Sequence, residues 1–288
     1  MKKIAFIGLG VMGAPMAGHL RAKGHDVTVY SRTVAKTNFW IERFGGRAAK
    51  SPAEAAQGAK MVFSCVGHDD DVRAITLGPN GAFAAMQPDA IFVDHTTTSA
   101  DLARELAIEA KHGGFSFIDA PVSGGEAGAQ NGTLTVMCGG DEKAFAIAEP
   151  VILTYAKMCK LMGPAGAGQL TKMVNQICIA GLLQALAEGI NFAEKAKLDV
   201  EAVLEVISKG AAASWQMENR GRTMHERKFD FGFAVDWMRK DLGFCLAEAK
   251  RNGAQLPVAQ LVDKFYAEIQ KMGGYRWDTS SLITRLSR

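Results

Sequence analysis

The sequence is poor in cysteine, and its few cysteines are not spaced to hold a metal or a disulfide framework. There are five in 288 residues, and no two of them form a Cys-x-x-Cys pair. An odd, scattered set in a chain of this size argues against a disulfide scaffold or a zinc ribbon and indicates buried thiols in a reducing compartment. The five are Cys65, Cys138, Cys159, Cys178 and Cys245.

An excess of charge of one sign and long apolar runs are also missing. The 33 Lys and Arg against 30 Asp and Glu leave a formal net charge of +3, too small to indicate a nucleic-acid partner. No uncharged apolar run reaches the ~20 residues of a membrane span. The run 4–20 resembles a signal peptide, but four glycines and Pro15 interrupt it. We therefore expect a cytoplasmic protein without a membrane segment.

The first ~160 residues alternate strand-length apolar runs with amphipathic, helix-length segments. Such alternation predicts a mostly parallel sheet with helices on both faces. The strands are predicted at 3–7, 26–30, 60–66, 90–94, 115–120 and 133–138.

The pattern changes at the small-residue stretch 163–168, after which strand signals stop. Residues 169–196 have an apolar pattern of helical period, unusually long for a globular helix, and further helices are predicted at 200–208, 237–252 and 257–272. We predict an α/β Rossmann-type dinucleotide-binding domain at 1–163. An all-α domain built around one long helix, for substrate binding and oligomerisation, is predicted at 164–288.

A glycine-rich loop follows the first predicted strand and precedes a predicted helix. In the G-x-G-x-x-G pattern Gly8 permits a tight turn, Gly10 has no side chain to block a pyrophosphate, and Gly13 lets the helix pack close to the strand. The helix N-terminus then offers free N–H groups to the phosphates. The alternative is a glycine turn without a ligand. The predicted cofactor-binding residues of this loop are Gly8, Leu9, Gly10, Val11, Met12 and Gly13.

The end of the second strand favours NADP over NAD. An NAD-binding chain usually has Asp or Glu there for the ribose 2′-hydroxyl. This sequence has Ser31, Arg32 and Thr33, with Lys36 one turn later. Two cations and two hydroxyls suit a 2′-phosphate, although an ordinary solvated basic turn has the same composition.

Two later segments carry residues suited to substrate chemistry. The segment 119–125 follows a predicted strand, so Ser123 and the backbone of Gly124 and Gly125 lie at the carboxyl edge of the sheet, where they can hold a carboxylate; a plain loop is the alternative. Lys172 lies in the first turns of the long helix, with Asn175 and Gln176 at i+3 and i+4. Desolvation lowers the proton affinity of a lysine and suits it to acid–base work. A surface lysine on an amphipathic helix is the alternative.

Together these segments resemble the β-hydroxyacid dehydrogenases, a family that includes 3-hydroxyisobutyrate dehydrogenases and semialdehyde reductases. The resemblance is carried, in the family's order, by FIGLGVMGAPMA at 6–17, DAPVSGG at 119–125, GAGQLTKMVNQ at 166–176 and RKDL at 239–242. It implies NAD(P)-dependent oxidation of a hydroxyacid or reduction of its semialdehyde. The family's members are dimers or tetramers, so we expect a homodimer or homotetramer that binds a small carboxylate-bearing substrate.

The resemblance also implies residue roles. Lys172 matches the family's catalytic lysine, and the Ser31-Arg32-Thr33 turn matches a version that goes with NADP. The matching substrate-binding residues are Ser123, Gly124, Gly125, Asn175, Gln176, Lys240 and Asp241. The residues that match loops around the nicotinamide are Val66, Gly67, Thr96, Thr97 and Lys240.

The sequence departs from the family's pattern at several positions. Many members have two asparagines at i+3 and i+4 from the lysine, and some keep asparagine only at i+4. This sequence has Asn175 followed by Gln176, which leaves open which amide orients the substrate. Cys65 and Val66 stand where many members have Leu-Pro, and His95 replaces a small or apolar residue. Trp215 is a candidate to cap the substrate pocket, but a structural aromatic side chain between helices is the preferred prediction. The substrate itself cannot be carried over from the resemblance.

Other functions remain open. Relatives of this architecture include imine reductases, which usually lack the lysine, and longer 6-phosphogluconate dehydrogenases, which have histidine where Asn175 stands. A non-catalytic NADP(H) sensor with the same fold is a further alternative. No metal site is expected, because the consecutive residues 68–71 converge poorly on one ion and are typical of the acidic first turn of a helix.

Overall fold

A nine-stranded sheet forms the centre of the first unit of the computed structural model, which describes residues 2–286. The strands lie in the order β3-β2-β1-β4-β5-β6-β8-β7, with β9 paired to β8. From β3 to β6 all neighbours are parallel, and 3-2-1-4-5-6 is the strand order of the Rossmann fold. The strands are β1 Lys3–Ile7, β2 Asp26–Tyr30, β3 Arg47–Ala48, β4 Met61–Ser64, β5 Ile91–Asp94, β6 Ser116–Asp119, β7 Val122–Ser123, β8 Leu134–Gly140 and β9 Ala156–Gly163.

Helices cover both faces of this sheet, so the central strands are buried on both sides rather than alternating between buried and exposed residues. Strands β4 and β5 are buried along their whole length. Because side chains alternate across a strand, Phe92 enters one core while its neighbour Val93 enters the other. The helices are α1 Gly13–Ala22, α2 Val34–Phe44, α3 Pro52–Ala56, α4 Asp69–Thr76, α5 Ala100–His112, α6 Gly125–Gln130 and α7 Glu142–Ile152.

The chain after the sheet is helical, and its longest helix is α8, Ala167–Lys195. The predicted α/β domain followed by an all-α domain around one long helix is therefore confirmed. The remaining helices are α9 Val200–Ile207, α10 Trp215–His225, α11 Val235–Asn252 and α12 Pro257–Lys271, followed by a 3₁₀ turn at Thr279–Arg285.

The chain divides into two compact units, Met1–Lys172 and Met173–Arg288, so the division falls inside α8. The predicted domain limits, 1–163 and 164–288, place their boundary just before this helix and stay a prediction. Several elements were not predicted individually, among them strand β9 and helix α10. Strand β9 carries Lys157 and Lys160 at an edge of the sheet, and α10 is too polar to show an apolar stripe.

Helix α8 leaves a stripe of apolar or small residues exposed along one side. By length and composition alone it is apolar enough to cross a membrane, a property shared by core helices of soluble proteins, and 44% of the relevant window is buried. The exposed positions are spaced by three or four residues, as on one face of a helix. They are Val174, Cys178, Leu182, Ala185, Gly189 and Phe192.

His95, which departs from the family's pattern, is buried where β5 ends. Its Nδ1 lies 2.7 Å from the Ala120 carbonyl oxygen, which can only accept a hydrogen bond, so Nδ1 carries the proton. Nε2 is then the acceptor for the Tyr155 hydroxyl at 2.8 Å. Burial lowers the pKa of His95 from 6.5 to about 4. The neutral ring therefore joins the end of β5 to the chain after β6 from inside the core.

The buried imidazole predicts a specific dependence of stability on pH. Between pH 6.5 and 4 the unfolded chain binds a proton at His95 that the folded chain does not, so the contribution of His95 to stability falls as the pH falls. From pH 7 to pH 5 the wild type should lose about 2 kcal/mol more than His95→Gln, which keeps a donor and an acceptor. Urea unfolding at both pH values measures this. The exposed His112→Gln is the control, and equal losses in all three proteins would contradict the buried neutral state.

Candidate active site

The predicted glycine loop joins β1 to α1 and has the geometry of a phosphate cradle. Gly8 has a φ of 100°, and a Cβ there would lie 2.2 Å from the Cys65 carbonyl oxygen. A Cβ at Gly13 would lie 2.0 Å from the Gly8 carbonyl oxygen, whereas one at Gly10 would meet nothing within 4 Å. The two outer glycines are thus required by backbone contacts, and the middle one borders open space. No side chain caps the start of α1 at Met12, which leaves its N–H groups suited to a pyrophosphate.

The turn after β2 places its basic residues at the same edge of the sheet as the glycine loop, because β1 and β2 are parallel neighbours. Arg32 is exposed, and its Nη1 lies 2.8 Å from Asp71 Oδ1 on α4. Ser31 Oγ accepts a hydrogen bond from the Thr33 amide at 3.4 Å, and Lys36 is exposed in the first turn of α2. A bound 2′-phosphate would therefore have to share the Arg32 guanidinium with a carboxylate.

The acidic residues of α4 have roles that the sequence did not reveal. Asp69 accepts hydrogen bonds from the backbone N–H and the hydroxyl of Ser99, the N-cap of α5. Asp70 lies 3.8 Å from Arg73, and Asp71 pairs with Arg32. As predicted, the three aspartates form the first turn of α4. Asp69 and Asp71 also bind residues of neighbouring loops. Among residues 2–286 no group of three His, Cys, Asp or Glu is arranged to hold a metal ion.

A buried hydrogen-bond network connects the carboxyl ends of β4 and β5. Asp94 Oδ1 accepts bonds from the Ser64 and Thr96 hydroxyls, both at 2.7 Å. Thr96 Oγ1 in turn accepts the Val66 amide at 3.0 Å. The two loops predicted to line the nicotinamide, Val66-Gly67 and Thr96-Thr97, are thus joined through one threonine hydroxyl.

The predicted carboxylate-binding segment is a short strand followed by a tight turn, rather than a plain loop. Ser123 belongs to β7 and pairs with Thr135 of β8. Gly124 and Gly125 have φ values of 128° and 63°, both in the region that favours glycine. Ser123 is half-buried at the start of this turn, which follows β6 at the carboxyl edge of the sheet.

Asp119, the last residue of β6, holds the start of α8. Its carboxylate accepts the Gly166 amide at 2.8 Å and the Gln169 amide at 2.9 Å. Burial raises the pKa of Asp119 to about 6, although both hydrogen bonds act in the opposite direction. A Cβ at Gly168 would lie 2.4 Å from the Met137 carbonyl oxygen, so this glycine is needed for the close approach.

Gln169 completes the attachment of α8 to the sheet. Its side chain is fully buried, with Oε1 accepting the Thr98 amide at 3.0 Å and Nε2 donating to the Thr96 carbonyl oxygen at 2.8 Å. Lys172 lies one turn further along the helix, and its side chain is 7% exposed. A surface lysine, the alternative considered for this position, is therefore wrong.

The other predicted substrate residues lie in the second unit. Gln176 on α8 donates from Nε2 to Asp241 Oδ2 on α11 at 2.6 Å and accepts from Asn175 Nδ2 at 2.8 Å. Lys240 Nζ lies 3.2 Å from Asp241 Oδ1. These four residues form one hydrogen-bonded and ion-paired cluster, whereas the cofactor-loop residues, Ser123 and Lys172 belong to the first unit.

The prediction for Trp215 is wrong. It is the first residue of α10, is 47% exposed, and lies beneath the Arg220 guanidinium at 5.0 Å rather than between helices. The same guanidinium also lies 5.0 Å from the Phe231 ring.

Comparisons with known proteins cover the whole chain. A family model described as the NAD binding domain of 6-phosphogluconate dehydrogenase matches residues 3–163. A second, described as NAD-binding of NADP-dependent 3-hydroxyisobutyrate dehydrogenase, matches residues 166–286. A solved structure of 3-hydroxyisobutyrate dehydrogenase from Mycobacterium tuberculosis with L-serine is 31% identical. The match covers 100% of both chains with a TM-score of 0.90.

Curated relatives agree with these matches. An uncharacterized oxidoreductase of Shewanella frigidimarina is 62% identical over 100% of this chain and 99% of its own length. A probable mitochondrial 3-hydroxyisobutyrate dehydrogenase-like protein of Arabidopsis thaliana is 41% identical, over 99% of this chain and 85% of that protein. The 2-hydroxy-3-oxopropionate reductase of Escherichia coli is 32% identical, over 99% and 97%. The chain therefore belongs to the β-hydroxyacid dehydrogenase family of NAD(P)-binding oxidoreductases.

Proposed function

We propose that the protein interconverts a short β-hydroxyacid and its semialdehyde with NADP(H), and that Lys172 is the general acid and base. The observation that carries this proposal is the burial of Lys172 in the opening turns of α8. Asp119 and Gln169 hold the start of that helix at the carboxyl edge of the sheet, the same edge at which the glycine loop lies. Ligands of open α/β sheets bind at this edge.

The names of the relatives support a substrate with a carboxylate close to the reacting carbon. They are 3-hydroxyisobutyrate dehydrogenases, a 2-hydroxy-3-oxopropionate reductase and, at 32% identity, a 2-(hydroxymethyl)glutarate dehydrogenase. In each named compound the alcohol or aldehyde carbon is attached to the carbon that bears a carboxylate. We assign the binding of that carboxylate to the Ser123 hydroxyl and the backbone N–H groups of Gly124 and Gly125.

The bound nicotinamide supplies the hydride in reduction and accepts it in oxidation. In reduction the protonated Lys172 amine donates a hydrogen bond to the aldehyde oxygen and transfers its proton as negative charge develops there. In oxidation the neutral amine removes the hydroxyl proton. Burial of Lys172 keeps bulk water away from this proton transfer. We assign Lys240 and Asp241 to substrate binding, and Lys240 also to cofactor binding.

We also assign the 2′-phosphate of NADP to Arg32, with Ser31, Thr33 and Lys36. No carboxylate lies in the turn itself to bind a ribose hydroxyl, and the guanidinium is exposed for a bidentate contact with phosphate. The loops joined through Thr96 are assigned to the nicotinamide side.

The exposed stripe of α8 supports a homodimer or homotetramer. Val174, Leu182 and Phe192 are 61%, 45% and 72% exposed on one side of the helix. An apolar surface of this length is typical of a subunit contact, and closed symmetric assemblies are the usual form of soluble oligomers.

Lys172→Ala should remove most turnover, because the developing charge on the substrate oxygen then has no proton donor. We expect kcat to fall by about 10²–10⁴-fold with NADPH binding unchanged. The assay follows the loss of NADPH absorbance with four substrates in turn: glyoxylate, succinic semialdehyde, tartronate semialdehyde and methylmalonate semialdehyde. Lys195→Ala, an exposed lysine at the end of the same helix, is the control. Near-normal turnover in Lys172→Ala would refute the assignment, and tight NADPH binding with no turnover by the wild type would favour a sensor.

Arg32→Ala should weaken NADPH binding by about 10- to 100-fold, the usual effect of losing one charge-assisted contact with a phosphate. NADH binding should be unchanged, because NADH has no 2′-phosphate. Fluorescence titration with both cofactors measures this, and Arg43→Ala, an exposed arginine at the end of α2, is the control. Equal weakening for both cofactors would contradict the 2′-phosphate assignment while leaving the chemistry intact.

Asp71→Asn should have the opposite effect on the same cofactor. Removing the carboxylate that pairs with Arg32 should tighten NADPH binding about two- to fivefold at low salt, the scale of an exposed ion pair. The difference should shrink at high salt. Asp70→Asn, an exposed neighbour that faces Arg73 instead, should leave the affinity as in the wild type. A weaker affinity in Asp71→Asn would show that Asp71 positions Arg32 rather than competing for it.

A further inference from the structure

The side-chain amide of Gln176 has a hydrogen-bond partner at each end. Nε2 donates to Asp241 Oδ2 at 2.6 Å and also lies 3.9 Å from Met238 Sδ, while Oε1 accepts from Asn175 Nδ2 at 2.8 Å. Gln176 is 2% exposed, whereas Asn175 is only half-buried. Gln176 therefore has neither a vacant end nor an open surface with which to reach a substrate.

The chemistry of Asp241 determines which way both amides point. Asp241 is buried and lies 3.2 Å from the Lys240 ammonium, which favours an ionised carboxylate. An ionised carboxylate has no hydrogen to donate, so Gln176 must face it with Nε2. Oε1 then faces Asn175, and because an oxygen can only accept, Asn175 must present Nδ2 to it.

We propose that Asn175 is the amide that contacts the substrate, and that Asp241 and Gln176 are positioning residues that fix its orientation. This set of three residues, the amide relay, rests on the proposed function for its substrate. With one hydrogen of Nδ2 directed at Gln176, the Asn175 amide plane is set, and so is the direction of its carbonyl oxygen. The relay thereby answers the question that the sequence left open at positions 175 and 176.

Exchanging the donor and the acceptor inside the relay tests this orientation. In Asp241→Asn the new amide both donates and accepts, so Gln176 can turn over and Asn175 loses its fixed orientation. In Gln176→Glu two carboxylates face each other and must share a proton. In the double variant the carboxylate at position 176 accepts from both amides, and Asn175 again presents Nδ2.

We expect each single variant to lower kcat about tenfold or more, and the double variant to recover to within about threefold of the wild type. A merely structural role would not produce this recovery, because the effects of two damaging changes would then add. The kcat of Gln176→Glu alone should also fall as the pH rises and the shared proton is lost. The matched control is Gln184→Glu with Glu188→Gln. Gln184 lies on the same helix and donates to Glu188 at 2.7 Å, so its exchange should leave kcat unchanged.

Two results would overturn the relay. One is a double variant as slow as the slower single variant while folding normally by circular dichroism. The other is an Asn175→Ala variant with wild-type kcat/KM beside a Gln176→Leu variant that has lost it, which would make Gln176 the contacting amide.

Failure of the proposed function would look different, because the wild type would then turn over none of the semialdehydes. Melting temperatures of the same four proteins would still test the orientation, since the double variant should melt above both single variants. Additive losses in melting temperature would refute it without any substrate.

Discussion

The buried carboxylate of Asp119 is the constraint on which the first unit's functional edge depends. It ends β6, and its two oxygens accept the amides of Gly166 and Gln169 at the beginning of α8. The positive end of a helix dipole stabilises an anion at this position, which offsets part of the cost of burying it. Because α8 carries Lys172 in its next turn, the same bonds determine where that side chain begins.

A second layer of polar contacts makes this attachment specific. Gln169 bonds to the backbone on both sides of Thr97, and Thr96 connects that loop to β4 through Val66 and Asp94. Fully satisfied buried networks of this kind hold loops in one arrangement, because any shift leaves a polar group without a partner. The loops that follow β4, β5 and β6 are therefore joined to one another as well as to the sheet.

Much of the fold could be predicted from local patterns. The ends of β1 and β2 coincide with the predicted ones, because the apolar run of β1 stops at the glycine loop and the alternation of β2 stops at a polar turn. The glycine loop was recognisable because backbone contacts within the motif and with the neighbouring strand require its two outer glycines, and the middle glycine leaves open space beside the loop. Strand β9 was not predicted, because its lysines, which an edge strand tolerates, interrupt the apolar pattern expected of a strand.

The contacts of the site that were not predicted join residues that are distant in the sequence. Asp119 bonds to residues 47 and 50 positions away, and Gln176 bonds to Asp241, 65 positions away. The residue pattern within one segment cannot predict which distant residue a side chain will bind. The pairing of Arg32 with Asp71 belongs to the same class, since it joins the ends of two strands that neighbour β1 on opposite sides.

His95 and Asp119 lie one residue apart in register, at the ends of the paired strands β5 and β6, and their proton equilibria shift in opposite directions. Burial lowers the pKa of His95 to about 4 and raises that of Asp119 to about 6. Between these values the unfolded chain carries an imidazolium and a carboxylate, whereas the folded chain carries an imidazole and a carboxylic acid. In this pH range folding releases about one proton from His95 and takes up about one proton at Asp119, so the net proton uptake of the two residues is close to zero. Between these values the stability that His95 loses as the pH falls is therefore offset by the stability that Asp119 gains.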